Sequence, residues 1–162
     1  MGVRIREVFR AWLLDHANFL VAILYGDFWR LRDKCLSVKS GFPHILYFAY
    51  LESHCSWIGL KSKFRGGGGV YLPHGLRSIF ISDHASIGDE CTILQQVTIG
   101  SKNGGAPTIG SGVYIGAGAI IIGSITIGDG AKIGANAIVV KDVKPGAIVV
   151  SKASSEIERE NR

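Results

Sequence analysis

Five histidines are the residues of this sequence best suited to moving protons near neutral pH: His16, His44, His54, His74 and His84. The first three lie in a helical preface, where an imidazole packs or meets solvent. His74 stands in Leu72-Pro73-His74-Gly75. An imidazole at such a place could act as a general base, since it needs only one acceptor nitrogen within reach of the proton. On the local sequence alone, that reading and a structural histidine satisfied by its neighbours are both open.

Other chemistry is poorly served. A zinc site needs three or four ligands, yet only His74 and His84 share this part of the chain and no cysteine pair is suitably spaced, so no metal is expected. Cys35, Cys55 and Cys91 are odd in number and form no Cys-x-x-Cys pair, which reads as free thiols in a reducing compartment. Cys91 occupies an inward place of the repeat described next and reads as packing rather than nucleophile. No Ser-His-Asp order is persuasive. Lys61, Lys63 and Arg65 lead into Gly66 to Gly69, whose backbone N–H groups could cradle phosphate. No Gly-Lys-Ser/Thr follows, so this is not a P-loop, and a flexible turn is expected.

These residues are positioned by a repeat of period six. Ile109, Ile115, Ile121, Ile127, Ile133 and Val139 each open a hexad, with Gly next at 110, 116, 128 and 134. The fifth places hold Val113, Ala119, Ile125, Ala131, Ala137 and Val143. Upstream the beat runs through Ile81, Ile87, Ile93 and Ile99, with Ala85, Cys91 and Val97 in fifth place. Such hexapeptides predict a parallel β-helix, each hexad being one short strand and a corner and three hexads one triangular coil. The opening and fifth residues face inward, and the coils stack around a columnar core. Between Ile99 and Ile109 four residues are extra, so Ser101 to Pro107 is predicted to be a loop thrown out from a corner, a candidate wall for a site.

Before the repeat, apolar residues at helical spacing predict helix over residues 4–36, with a further short helix over Ile45 to His54 after Gly41-Phe42-Pro43. Arg4, Arg6, Arg10, Arg30, Arg32 and Lys34 make the first segment basic. It reads as a contact for a membrane surface or polyanion, or as a cap on the β-helix or a neighbouring subunit. Its run Ala17 to Tyr25 is too short to cross a bilayer. The division expected is a helical segment at 1–60, β-helix at 61–150 with coils from Val70, and a polar tail at 151–162. A net charge of +5 suggests an anionic partner of unspecified kind. No secretory signal is evident, and a cytoplasmic protein is expected.

Four motifs in order, Leu72-Pro73-His74-Gly75, Ile93-Leu94-Gln95-Gln96-Val97-Thr98-Ile99-Gly100, Ile115-Gly116-Ala117-Gly118-Ala119 and Lys132-Ile133-Gly134-Ala135, closely resemble the serine acetyltransferase branch of the left-handed β-helix acyltransferases. The resemblance covers roughly residues 57–150. It implies a mainly β, left-handed parallel β-helix, a homotrimer, and acetyl-CoA lying between adjacent prisms, with no metal and no nucleic acid. His74 matches the catalytic base. Gly116, Ala117 and Ala135 match the backbone lining of the pantetheine groove, and Lys132 or Lys141 would meet the CoA phosphates. Asp83 and His84 fall near the catalytic coil, as acceptor contacts, as groups orienting His74 or as solvent-facing corner residues; Asn103 and Lys102 on the loop have similar standing.

The departures bear on the acceptor. Where serine acetyltransferases carry an Asp before the base, suited to an ammonium, this chain has Pro73; where their loop carries Arg-His, it has Gly105 and Ala106 before Pro107. The acidic partner upstream of the base falls near Trp57, and the family's closing Gly-x-Pro is replaced by Ser151-Lys152-Ala153. The segment Trp29 to Ser62 resembles the short lead of members that acetylate exopolysaccharide or capsule sugars. The expectation is therefore O-acetylation of a sugar hydroxyl in a surface polysaccharide or its precursor, at the inner face of a membrane. Serine O-acetylation and a non-catalytic trimeric scaffold are the alternatives.

Overall fold

A computed structural model describes residues 2–25, 28–38, 40–59, 63–64 and 69–152. Lys61, Arg65, Gly66 to Gly68 and most of the tail lie outside the described residues, as do the side chains of Arg4, Arg6 and Arg10.

The single helix expected over 4–36 is two, α1 (Gly2–Tyr25) and α2 (Phe28–Ser37). Gly26-Asp27 stands between them in sequence, a pairing of low helix propensity. On α1, Leu13, Ala17 and Val21 recur every four residues and are buried. α3 (Phe42–Ser53) follows with Pro43 in its first turn, where proline needs no intrahelical N–H partner.

Thirteen short strands follow in the described residues and build three parallel sheets, the faces of a prism. The first face stacks β1 (Trp57–Ile58), β3 (Phe80–Ile81), β6 (Thr98–Gly100), β9 (Ile120–Ile122) and β12 (Ile138–Val139). The second stacks β2 (Lys63–Phe64), β4 (Ser86–Ile87), β7 (Thr108–Ile109) and β10 (Thr126–Ile127). The third stacks β5 (Thr92–Ile93), β8 (Tyr114–Ile115), β11 (Lys132–Ile133) and β13 (Ile148–Val149), which Tyr71 extends through a bridge to Thr92. Registers join like to like, Ile81 to Ile99 and Ile121, Ile93 to Ile115 and Ile133. Strands this short hold because each hexad's opening residue is buried in the column, as are the fifth-place residues from Ala85 to Ala137.

The coils begin at Trp57 rather than at Val70. Trp57 and Ile58 pair with Phe80 and Ile81, and Lys63 and Phe64 with Ser86 and Ile87. Helices α2 and α3 close this end of the prism. Tyr47 is fully buried, donates its hydroxyl to the carbonyl of Ile58 at 2.8 Å and stacks on Phe28, while Trp29 meets Phe64 edge-on. Burial pushes the Tyr47 phenol well above its ordinary range. The opposite stripe of α1, with Phe9, Trp12, Phe19 and Ile23, is exposed. No helix among the described residues is long and apolar enough to cross a membrane.

Close stacking makes some glycines obligatory. At Gly88 a Cβ would sit 2.5 Å from the backbone carbon of Gly110 in the next coil, so the coil spacing itself excludes a side chain.

Candidate active site

Two corners of the prism carry the polar residues singled out in the sequence. The return corner leads from the third face back to the first and stacks residues 72–79, 94–97, 116–119 and 134–137. The insertion corner leads from the first face to the second and holds residues 82–85 and the loop 101–107.

The return corner is a regular ladder. Gln96 donates its N–H to the carbonyl of Arg77 at 2.8 Å, Gly118 to Gln95 at 3.0 Å and Asn136 to Ala117 at 2.8 Å. Ser78, Gln96, Gly118 and Asn136 take the same place in successive coils, each with φ between 53° and 69°. His74 projects from the first coil of this ladder, exposed, with Nδ1 2.6 Å from Oε1 of Gln95 in the second. Gly116, Ala117 and Ala135 continue the column beyond Gln95, and Lys132 is exposed on β11 just before it. The corner thus sets His74 and the small residues Gly116, Ala117 and Ala135 in one stack.

Two cavities flank His74. One of about 510 Å³ is lined by Pro73, His74, Arg77 and Gln95. The other, of about 650 Å³, shares His74, Arg77 and Gln95 and adds Ser53, His54, Cys55, Gly75, Ser78 and Gln96. Three residues here were missed in the sequence reading. Gln95 partners the imidazole. Arg77 lines both cavities, and among the described residues no carboxylate is seen to pair with it. His54, read as a surface or packing residue, lines the larger cavity; its Nδ1 is 2.8 Å from the carbonyl of Tyr50, and its ring stacks on that tyrosine.

Asp83, His84 and Asn103 stand at the insertion corner, across the width of the first face from His74. Within one chain Gln95, and neither Asp83 nor His84, meets the Nδ1 of His74. Asp83 is half-buried and packs over Gly59, where any Cβ would collide with it. The loop is a tight turn. Lys102 and Gly105 exchange backbone hydrogen bonds of 2.8 and 3.0 Å around Asn103 and Gly104, whose φ values are 51° and 80°. Asn-Gly is the residue pair that such a two-residue turn favours, so the conformation of Asn103 has a backbone cause. With Ile122, Ser124 and Val140 the loop walls a separate cavity of about 580 Å³.

The two buried thiols, Cys35 and Cys91, are not poised for nucleophilic work. Burial raises the Cys91 thiol above its ordinary value, and Cys35 is pushed up to about 11 by burial, against the opposing charge of Arg32. Among the described residues no group of three His, Cys, Asp or Glu could hold a metal ion.

Residues 106–141 match the family described as bacterial transferase hexapeptide (six repeats). Over 112 residues the chain is 40% identical to the serine acetyltransferase of Synechococcus elongatus, covering 67% of this chain and 45% of that protein. Over 88 residues it is 46% identical to the serine acetyltransferase of Mycobacterium tuberculosis, covering 52% of this chain and 38% of that one. The structure of Neisseria gonorrhoeae serine acetyltransferase in complex with serine superposes with a TM-score of 0.67 at 33% identity, covering 80% of this chain and 53% of that one. The solenoid is similar to theirs in fold and sequence. The chain spans about half the length of these relatives or less.

Proposed function

We propose that the chain is an acetyl-CoA-dependent O-acetyltransferase of the serine acetyltransferase type, with His74 as general base. The observation that carries this is the exposed imidazole beside two cavities, held by Gln95 at the head of the Gly116–Ala117–Ala135 column. His74 takes the proton of an acceptor hydroxyl as its oxygen bonds to the thioester carbonyl carbon. The tetrahedral intermediate then breaks its C–S bond, and the imidazolium returns the proton to the departing CoA sulfur. Proximity of two bound substrates supplies much of the rate, so no acyl-enzyme is needed. Small residues along the column let the pantetheine arm approach the main chain, and Lys132 lies within the same stretch for the CoA phosphates. A bulky side chain at Ala117 is expected to weaken acetyl-CoA binding, read as a smaller thermal shift at fixed ligand; an unchanged shift would move the groove elsewhere.

For the acceptor, the relatives named above favour serine over the sugar hydroxyl expected from the sequence. That expectation rested on missing charges at Pro73, Gly105 and Ala106. Arg77 supplies a cation from a different position, suited to a carboxylate. Arg77→Gln is expected to raise KM for serine by about tenfold or more with KM for acetyl-CoA unchanged, the value of one charge-assisted hydrogen bond. An equal rise in both constants would assign Arg77 to the cofactor. A neutral sugar hydroxyl is the second reading, because among the described residues no carboxylate lines either cavity beside His74 to meet an ammonium. Release of CoA thiol from acetyl-CoA, with serine and a panel of sugars offered, separates the two. Serine is expected to give the faster release, and release with sugars alone would replace it. A scaffold without catalysis would release none and gain no thermal stability from acetyl-CoA.

The working unit of this proposal is a homotrimer in the cytoplasm. Asp83, His84 and Asn103 can approach His74 only if the insertion corner of one copy meets the return corner of the next. Contact of α1 with a membrane surface is supported by its exposed Phe9, Trp12, Phe19 and Ile23, and co-sedimentation with anionic vesicles tests it.

A further inference from the structure

We propose that Gln95 is the positioning residue of His74: its side-chain oxygen accepts the Nδ1 proton and so leaves Nε2 as the proton acceptor. The inference rests on His74 being the base. A neutral imidazole carries one N–H, and a hydrogen bond to one nitrogen decides what the other can do. An amide oxygen has no proton to give, so at 2.6 Å from Nδ1 it requires that nitrogen to be the donor.

Gln95 is well placed to hold that direction. It follows β5, and the backbone on both sides is fixed by neighbouring coils: Leu94 donates to Ile115 at 3.0 Å, Gly118 to Gln95 itself and Gln96 to Arg77. The side chain is half-buried, so water competes less for its oxygen than for that of an exposed glutamine. The two partners lie 21 residues apart in sequence and one coil apart in space.

The orienting group is neutral. Among the described residues the titratable groups sharing the cavities with His74 are Arg77, His54 and Cys55, and none is a carboxylate. An acid at position 95 would favour the imidazolium and delay its function as a base until higher pH. Glutamine directs the ring without that charge.

The test uses the full chain and needs no turnover for its first part. Nitrogen-15 shifts of the His74 ring, assigned by loss in His74→Ala, are measured above the titration of the ring. Wild type is expected to carry the proton on Nδ1, and Gln95→Ala to move it toward Nε2. In steady-state kinetics Gln95→Ala is expected to lower kcat by about tenfold or more with KM for acetyl-CoA unchanged, as a wrongly held tautomer does. Gln95→Glu is expected to restore the Nδ1 proton and to move the acidic limb of the pH–rate profile upward. A wild-type ring protonated on Nε2, which a reversed amide would produce, overturns the proposal; so does an Nδ1 proton that survives Gln95→Ala. Because the shifts report the contact without a reaction, a chain that acetylates no hydroxyl would fail the functional reading, while the tautomer held by Gln95 would still be read separately.

Discussion

Replacing His74 with alanine lowers kcat by about 10²- to 10⁴-fold, the contribution of one well-placed general base. Thermal stabilisation by acetyl-CoA is expected to persist, because the groove proposed along Gly116, Ala117 and Ala135 is untouched. His74 is exposed and, among the described residues, its side-chain hydrogen-bond partner is Gln95, so its removal leaves no cavity and no buried charge. Loss of kcat with an unchanged melting temperature is the expected pair of results. Turnover within about twofold of wild type would mean another group takes the proton, and His54 in the same cavity would be the next to replace.

The second large effect falls on the column. Ile115 is 0% exposed and sits mid-stack between Ile93 and Ile133. Ile115→Ala removes its buried methyl groups where coils above and below cannot collapse to fill the gap, at a cost of about 2–5 kcal/mol. Against a typical total of about 5–15 kcal/mol, that is a large fraction. A urea midpoint falling sharply for Ile115→Ala but hardly for Ile148→Ala, at a residue 70% exposed in the last coil, is the expected outcome. Equal shifts would contradict a core formed by the hexads' opening places.

The difference between these two isoleucines also explains what the sequence could tell. Inward places of a narrow prism accept only apolar residues of limited size, so the constraint repeats in the chain and the coils from Ile81 onward can be read directly. The first coil could not be read. Ile58 and Phe64 keep the beat, but the step from Phe64 to Leu72, which the Tyr71 bridge sets beside Ile93, is longer and breaks it. In the candidate site, His74 could be singled out because few side chains move protons at neutral pH. Gln95 stood inside a quoted motif without a role, because its value depends on a partner one coil away that no local spacing reveals. Arg77 was passed over for the same reason, since nothing in Leu76-Arg77-Ser78 says that it turns toward the histidine's cavities. The Asn103-Gly104 turn, by contrast, had a local signal, and the sequence reading treated it only as a loop.

The two ends of the stack differ. At the first coil Tyr47, Phe28 and Trp29 seal the prism, while in the last Val143, Ala147 and Val149 are half-buried and Ile138, Val140, Ile148 and Val150 are exposed. A quasi-one-dimensional array opens where its neighbours are fewest. Amide exchange should therefore run as a gradient, fastest between Val143 and Val149 and slowing rung by rung toward Ile93. The chain behaves as a zipper pinned at one end, and His74 hangs beside the pin. Fraying at the far end can sweep through several coils before the imidazole and its glutamine part.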